Sequence, residues 1–232
     1  MLLERGADLN AQAEDRMTSL HWASSLEVAR LLLEHGADPT AQTNNGSTPL
    51  HWASERGSQE VARLLLERGT DPTTQTKDGE TPLHCASSLE VAQLLLEHGV
   101  DATAQTNNGS TPLHWASESG LQEVTRLLLE RGADPSAQTK DGMTPLHFAS
   151  SLEVTRLLLE RNADPNAQTK DGTTALHWAP SLEVARSLLE HGADPTAQTN
   201  NGSTPLHWAS ERGSQEVIRL LLERGADPIT QA

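Results

Sequence analysis

The sequence predicts an all-α chain built from stacked helix pairs. Three observations carry this reading: a heptapeptide that returns along the whole chain, a spacing of 30 or 33 residues between its copies, and helix start and stop signals at fixed places in each copy. The heptapeptide is Thr48-Pro49-Leu50-His51-Trp52-Ala53-Ser54. Its opening Thr recurs at Thr18, Thr48, Thr81, Thr111, Thr144, Thr174 and Thr204. Self-similarity at such a period marks a repeat array. The units run 18–47, 48–80, 81–110, 111–143, 144–173, 174–203 and 204–232, with a half unit at 1–17. The sequence is read as one array, 1–232, without a linker.

Each unit opens with a first helix. Thr48 is placed as N-cap, its hydroxyl free to take a backbone N–H of the first turn, and Pro49 follows at the first helical position, where its missing N–H costs nothing. A second helix follows, Gln59 to Arg68, with Val61, Leu64 and Leu65 on one face at helical spacing. Gly69 stands where a left-handed residue closes a helix. Asp71-Pro72 then forces extended backbone, and Gln75 to Gly79 supplies a turn whose Gly needs positive φ. One helix pair cannot bury its own apolar face, so the core is a seam between neighbours.

The units come in two lengths. Residues 18–47, 81–110, 144–173 and 174–203 are three residues shorter than 48–80 and 111–143, nearly one helical turn, and 204–232 opens in the long form. Aligning 51–66 with 21–33 places the loss at Glu55-Arg56-Gly57, so the first helix should end early in short units. Gly57 reads as its C-cap in the long form. Ser24 to Glu27, Ser87 to Glu90 and Ser150 to Glu153 read as S-x-x-E capping boxes for the second helix. Pro180 replaces the first Ser of the fourth copy, which should lose that box. Residues 40–69 and 196–225 differ only at Ala62 against Ile218, so the array looks like duplicated two-unit cassettes.

The T-P-L-H-x-A turn, the L-L-L-E-x-G-A-D helix end and the period near 33 residues resemble ankyrin repeats over essentially the whole chain. The resemblance implies an ankyrin-type solenoid, with first helices lining a concave face and loops projecting as two-stranded, β-hairpin-like fingers. It also implies a non-enzymatic scaffold that binds a protein or peptide through the groove and fingers. The implied contacts at the finger tips are Asn44 and Asn45, Lys77 and Asp78, Asn107 and Asn108, then Lys140 and Asp141, Lys170 and Asp171, Asn200 and Asn201. Long units add Glu55 and Arg56, Glu118 and Ser119, Glu211 and Arg212. By the same resemblance the motif histidines, His21, His51, His84, His114, His147, His177 and His207, hydrogen-bond within the turn and to its neighbours. The sequence departs from the pattern in its short units, at Ser19 in place of Pro, and at Thr40 and Ser136, where the loop Asn of Asn10 and Asn166 is lost.

Every aromatic residue falls in one column. Trp22, Trp52, Trp115, Phe148, Trp178 and Trp208 follow the motif His, and Cys85 fills the third place. In the family this position lies on the first helix, faces the groove and the neighbouring unit, and is commonly Leu. Helix neighbours stand about 8–10 Å apart, so the rings are expected to form a ladder at that spacing. The indoles can act as packing in place of Leu, or as a stripe for a ligand, since Trp is enriched at binding hot spots and its face attracts cations. A half-buried Trp does both.

Composition limits the partners. Net charge is −15 at pH 7, which disfavours nucleic acid and favours a basic protein or peptide. No stretch is long and apolar enough for membrane insertion, and Met1-Leu2-Leu3 opens a repeat rather than a signal peptide. Cys85 is the sole cysteine and has no intrachain partner, which fits a cytoplasmic or nuclear setting. No cofactor or metal is expected, because residues repeating once per unit are held apart while zinc needs converging ligands. His35, His98 and His191 close second helices, where a cation suits the dipole. Cys85 has no base beyond His84, and no carboxylate pair stands out for acid–base work. The alternative to a binding scaffold is a passive spacer or elastic rod, part of a larger protein whose active domain lies elsewhere. Neither end carries a polar cap, so a fragment prone to end-to-end self-association is expected.

Overall fold

The computed structural model describes residues 8–227. The leading Leu2 and Leu3, and the closing Thr230-Gln231-Ala232, lie outside the described residues. The chain divides into two compact units, Met1–Asn107 and Asn108–Ala232. Both are all-helical repeat stacks, and the described residues contain no β-strand.

In the first unit a 3-10 turn at Ser19–Trp22 precedes α1 (Leu26–Glu34), α2 (Pro49–Glu55), α3 (Gln59–Glu67) and α4 (Leu89–Glu97). Residues 82–85 form hydrogen-bonded turns where a first helix would stand. In the second unit α5 (Pro112–Glu118), α6 (Gln122–Glu130), α7 (Pro145–Phe148), α8 (Leu152–Glu160), α9 (Ala175–Trp178), α10 (Leu182–Glu190), α11 (Pro205–Glu211) and α12 (Gln215–Glu223) alternate first and second helices. Second helices stack on second helices, α1 on α3 on α4, and α6 on α8 on α10 on α12. The seam between them buries Val61, Leu65, Leu95, Leu128, Leu158 and Leu221.

The missing three residues come out of the first helix, as the alignment expects. Long units carry seven-residue first helices and short units four or fewer, while every second helix has nine residues. In long units the first helix closes in a Schellman motif: the Ser58 N–H reaches the Ala53 carbonyl at 2.9 Å and the Gly57 N–H the Ser54 carbonyl at 3.0 Å. Gly57 has φ 66°, and a Cβ there would come within 3.0 Å of Ser87 Oγ. Glycine is therefore required twice, by backbone and by the approach of the next unit. Asn162, φ 63° and one of the few side chains that tolerates it, stands after α8 where the other second helices have Gly.

The second-helix cap corrects the sequence reading. The N-cap is the second serine of each pair, Ser25, Ser88 and Ser151, whose hydroxyls accept from Val28, Val91 and Val154 N–H. Glu27, Glu90 and Glu153 therefore sit at the second helical position, one residue too early to close an S-x-x-E box. Ser181 caps α10 in the same way, so Pro180 removes no cap. The first serine of the pair bonds between units instead, Ser87 and Ser150 donating backbone N–H to the carbonyls of Ser54 and Ser117 in the preceding unit.

The fingers are also simpler than two-stranded hairpins. Each is a tight turn, such as Thr43 to Ser47, closed by the Thr43 N–H on the Ser47 carbonyl and the Gly46 N–H on the Thr43 carbonyl, both at 3.0 Å. Neighbouring tips join through single main-chain bonds. Asn44 donates to Asp15, Lys77 to Asn45 and Asn107 to Asp78 in the first unit; Lys140 donates to Asn108, Lys170 to Asp141 and Asn200 to Asp171 in the second. One bond per neighbour aligns the tips without making a ladder.

Among the buried polar atoms without a partner, Ser187 Oγ also marks a packing defect. Ser187 is buried on α10 and its hydroxyl has no partner, where Leu64, Leu94, Leu127, Leu157 and Leu220 fill the same place. Ser187→Leu is expected to raise unfolding free energy by about 1–3 kcal/mol in urea titration, by adding apolar burial and removing an orphaned hydroxyl. A loss of stability would mean that the core has closed around the smaller side chain.

Candidate functional site

The site is built on the histidine that precedes each aromatic. In a reciprocal capping box, the Thr side chain takes the N–H of the third helical residue and the His at that residue takes the Thr N–H. The imidazole acceptor is Nδ1, at 3.0–3.2 Å from the Thr nitrogen, and the Thr hydroxyl stands 2.9–3.0 Å from the same atom. An Nδ1 that accepts leaves the proton on Nε2. That atom donates to a carbonyl at the base of the next finger: His21 to Ser47, His51 to Glu80, His114 to Met143, His147 to Thr173 and His177 to Ser203, at 3.1–3.3 Å. Burial holds all five imidazoles below the ordinary histidine range, His51 down to about 4.

The next residue carries the aromatic ring to the edge of this buried network. Trp22 and Trp115 are 62% and 39% exposed, and Trp52, Phe148, Trp178 and Trp208 are half-buried. Three rings of the second unit pack edge-on to the histidine of the preceding repeat: His114 to Phe148 at 5.7 Å, His147 to Trp178 at 6.1 Å, His177 to Trp208 at 6.0 Å. The expected ladder at helix spacing is instead two close pairs. Trp22 and Trp52 have centroids 5.8 Å apart, Trp178 and Trp208 6.3 Å apart, both tilted. Long indoles lean together across a gap that the helix axes alone would leave wider. Packing and exposure thus coexist in the column.

Two of the expected contact residues are engaged internally. The Arg56 guanidinium donates to the carbonyls of His21 and Ala23 at 2.7 and 3.2 Å and lies 6.0 Å from the Trp52 ring centroid. Arg212 donates to the His177 carbonyl at 2.6 Å. The cause is the shortened first helix of the preceding unit, whose terminal carbonyls lack helical partners. The tip asparagines are partly committed as well: Asn45 and Asn201 carbonyl oxygens take the Thr43 and Thr199 hydroxyls, and Asn107 and Asn200 amides donate to the carbonyls of Lys77 and Lys170. Asn44, Lys77, Asp78, Lys140, Asp141, Lys170 and Asp171 present exposed side chains at the tips, and Glu55, Glu118 and Glu211 are exposed where the long first helices end.

Fingers and column meet in a cleft of about 460 Å³ in the second unit. Asp171, Trp178, Trp208, Asn200, Asn201 and Glu211 line it, and so do Thr173, Thr199 and Ser203, which the sequence reading did not single out. Each stands within three residues of a finger Gly at a constant offset from the motif, the signal that marks them in the sequence. A second cleft of about 420 Å³, lined by Asn166, Gln168, Asp194 and Thr196 among others, is polar and has no ring. There the retained loop asparagine bridges units, its amide donating to the Gly192 carbonyl and its oxygen accepting from the Asp194 N–H.

The remaining candidates have structural roles. His35, His98 and His191 bond through Nδ1 to the carbonyl four residues back at 2.8 Å. Burial, with the charges of Glu80 and Glu55 adding, pushes the Cys85 thiol up to about 12, far from a reactive thiolate. Asp71 and Asp101 are held below the usual carboxylate range by the hydroxyls and N–H groups of Thr73 and Thr103, which they cap as turn residues. Among the described residues, no three His, Cys, Asp or Glu converge as metal ligands and no helix is long and apolar enough to cross a membrane.

Ankyrin-repeat family models match residues 1–76, 68–139, 132–199 and 146–232. The chain belongs to the ankyrin repeat family, an all-helical repeat solenoid whose members generally serve as protein–protein interaction modules and are typically non-catalytic. No curated protein matches the sequence.

Proposed function

We propose that the chain binds a basic peptide segment through the surface where the aromatic column meets the finger turns. The observation that carries this is the pairing, within each of the two compact units, of part-exposed indoles with solvent-exposed carboxylates. Arg126 pairs with Glu123 on α6, away from the column, while Asp78, Asp141, Asp171, Glu55, Glu118 and Glu211 are left to solvent at the tips and helix ends. With a net charge of −15, such a surface attracts cations at long range and offers ring faces at contact. A passive spacer has no use for exposed tryptophan, so the near identity of the repeats is weaker support for that rival.

Tryptophan emission should shift on titration with octa-lysine at low salt and not with octa-glutamate. Salt should weaken the complex steeply, because screening reaches about 10 Å at 0.1 M. Trp115→Leu should leave folding nearly intact and weaken the complex by about 1–2 kcal/mol, the scale of a desolvated cation–π contact. Unchanged emission with both peptides would sink the reading.

We also infer self-association. Val28 and Leu31 on α1 and Leu222 on α12 are 47%, 46% and 43% exposed, large apolar side chains on second helices. Sedimentation at high concentration should show species above the 25.0 kDa monomer, reduced by Leu31→Gln with Leu222→Gln. A clean monomer throughout would count against it.

A further inference from the structure

The cleft of the second unit combines three things that the polar cleft beside Asn166 does not. It offers two indoles, it is edged by a finger-tip carboxylate, Asp171, and it is edged by a helix-end carboxylate, Glu211 at the close of α11. Both carboxylates are exposed, and among the described residues neither side chain has a hydrogen-bond or ion-pair partner. The volume, about 460 Å³, lies in the usual range for binding pockets, roughly 300–1,000 Å³. The indoles themselves are fixed from behind, Trp178 by His147 and Trp208 by His177. A ligand therefore meets rigid faces and loses little to ordering them.

The first unit shows what such a face accepts. Asp15, Trp22, Trp52 and Glu55 hold the same motif positions there. The chain's own Arg56 guanidinium lies against Trp52, with its N–H groups on two carbonyls. A planar guanidinium does both at once because its donors lie in the plane and its faces are free for stacking. In the second unit Arg212 bonds to the His177 carbonyl, and among the described residues no cation lies over the Trp208 ring as Arg56 lies over Trp52.

We propose that this cleft is an arginine subsite: one arginine side chain of a bound peptide stacks on Trp178 and Trp208 and pairs with Asp171 and Glu211. The proposal rests on the basic-peptide reading above and narrows it. A lysine ammonium would gain the charge but not the stacking plane or the forked donors. Arginine selectivity, rather than cation attraction alone, is thus the distinguishing property.

The test uses the whole chain with octa-arginine and octa-lysine as probes, at two salt concentrations, by calorimetry. Octa-arginine should bind at least about threefold more tightly than octa-lysine, and the preference should survive added salt, which screens the shared charge term. Asp171→Asn with Glu211→Gln, both on exposed side chains, should weaken octa-arginine about tenfold and abolish the preference, the scale of losing charge-assisted bidentate contacts. Glu160→Gln with Glu190→Gln removes the same charge from exposed ends of α8 and α10 and should weaken both probes equally and only slightly. If the cleft pair weakens octa-arginine no more than this control does, or if the wild-type chain shows no arginine preference, the subsite is wrong while the basic-peptide reading stands. If neither probe binds the wild-type chain, both fall.

Discussion

His21, His51, His114, His147 and His177 each hold their own turn through Nδ1 and the next finger through Nε2, and both bonds require a single protonation state. Protonating Nδ1 would turn an acceptor into a donor aimed at a backbone N–H. The repeats that carry these five histidines therefore depend on an imidazole kept neutral by burial. The consequences run outward from that ring. It fixes the Thr that starts the first helix, sets where the following finger leaves the stack, and, in the second unit, presents its edge to the next aromatic. Phe148, Trp178 and Trp208 are ordered against the histidines that precede them.

The alternation of unit lengths is the second constraint. Shortening a first helix exposes carbonyls at its end, and the long unit that follows answers with Arg56 or Arg212. Lengthening it requires a closing glycine, and the neighbouring short unit packs its serine pair against Gly57 and Gly120 at 3.0 Å from where a Cβ would stand. Short and long units are thus complementary rather than interchangeable. The cost is that Arg56 and Arg212, which look like surface contacts in the sequence, are largely consumed inside the protein. The gain is an acidic surface with fewer cations left to neutralise it.

Most of the architecture was legible in the residues. Period, helix caps and the trimmed first helix follow from Thr-Pro, Gly57 and the place of the three-residue loss, because these are local effects. The family's histidine bonds also carried over to Thr48 and His51 without change. What failed was register within one turn and distance between units. Ser24 and Ser25 are both competent N-caps, and only the bond from Ser87 to Ser54, thirty-three residues away, shows that the first of each pair is already used. Indole leaning, which brings Trp178 to 6.3 Å from Trp208, depends on side-chain length across units. The cleft at Asp171 and Glu211 needed the fold, because nothing in either stretch alone places the two carboxylates around one volume.

His21, His51, His114, His147 and His177 are neutral, Nε2-protonated links, and the turns and fingers they hold depend on that state. Their folded pKa values lie below the ordinary 6.5. Between the folded and unfolded values the unfolded chain binds more protons, so stability falls as pH falls. For His51, at about 4, the loss between pH 6.5 and 4 is on the order of 3 kcal/mol. The decisive measurement is imidazole nitrogen NMR from pH 7.5 down to 4, with urea unfolding at each pH. The account predicts Nε2–H tautomers for His21, His51, His114, His147 and His177, protonation below 6.5, and stability that declines steadily from about pH 6.5. Rings that titrate near 6.5 in the folded chain, with stability flat across that range, would contradict it.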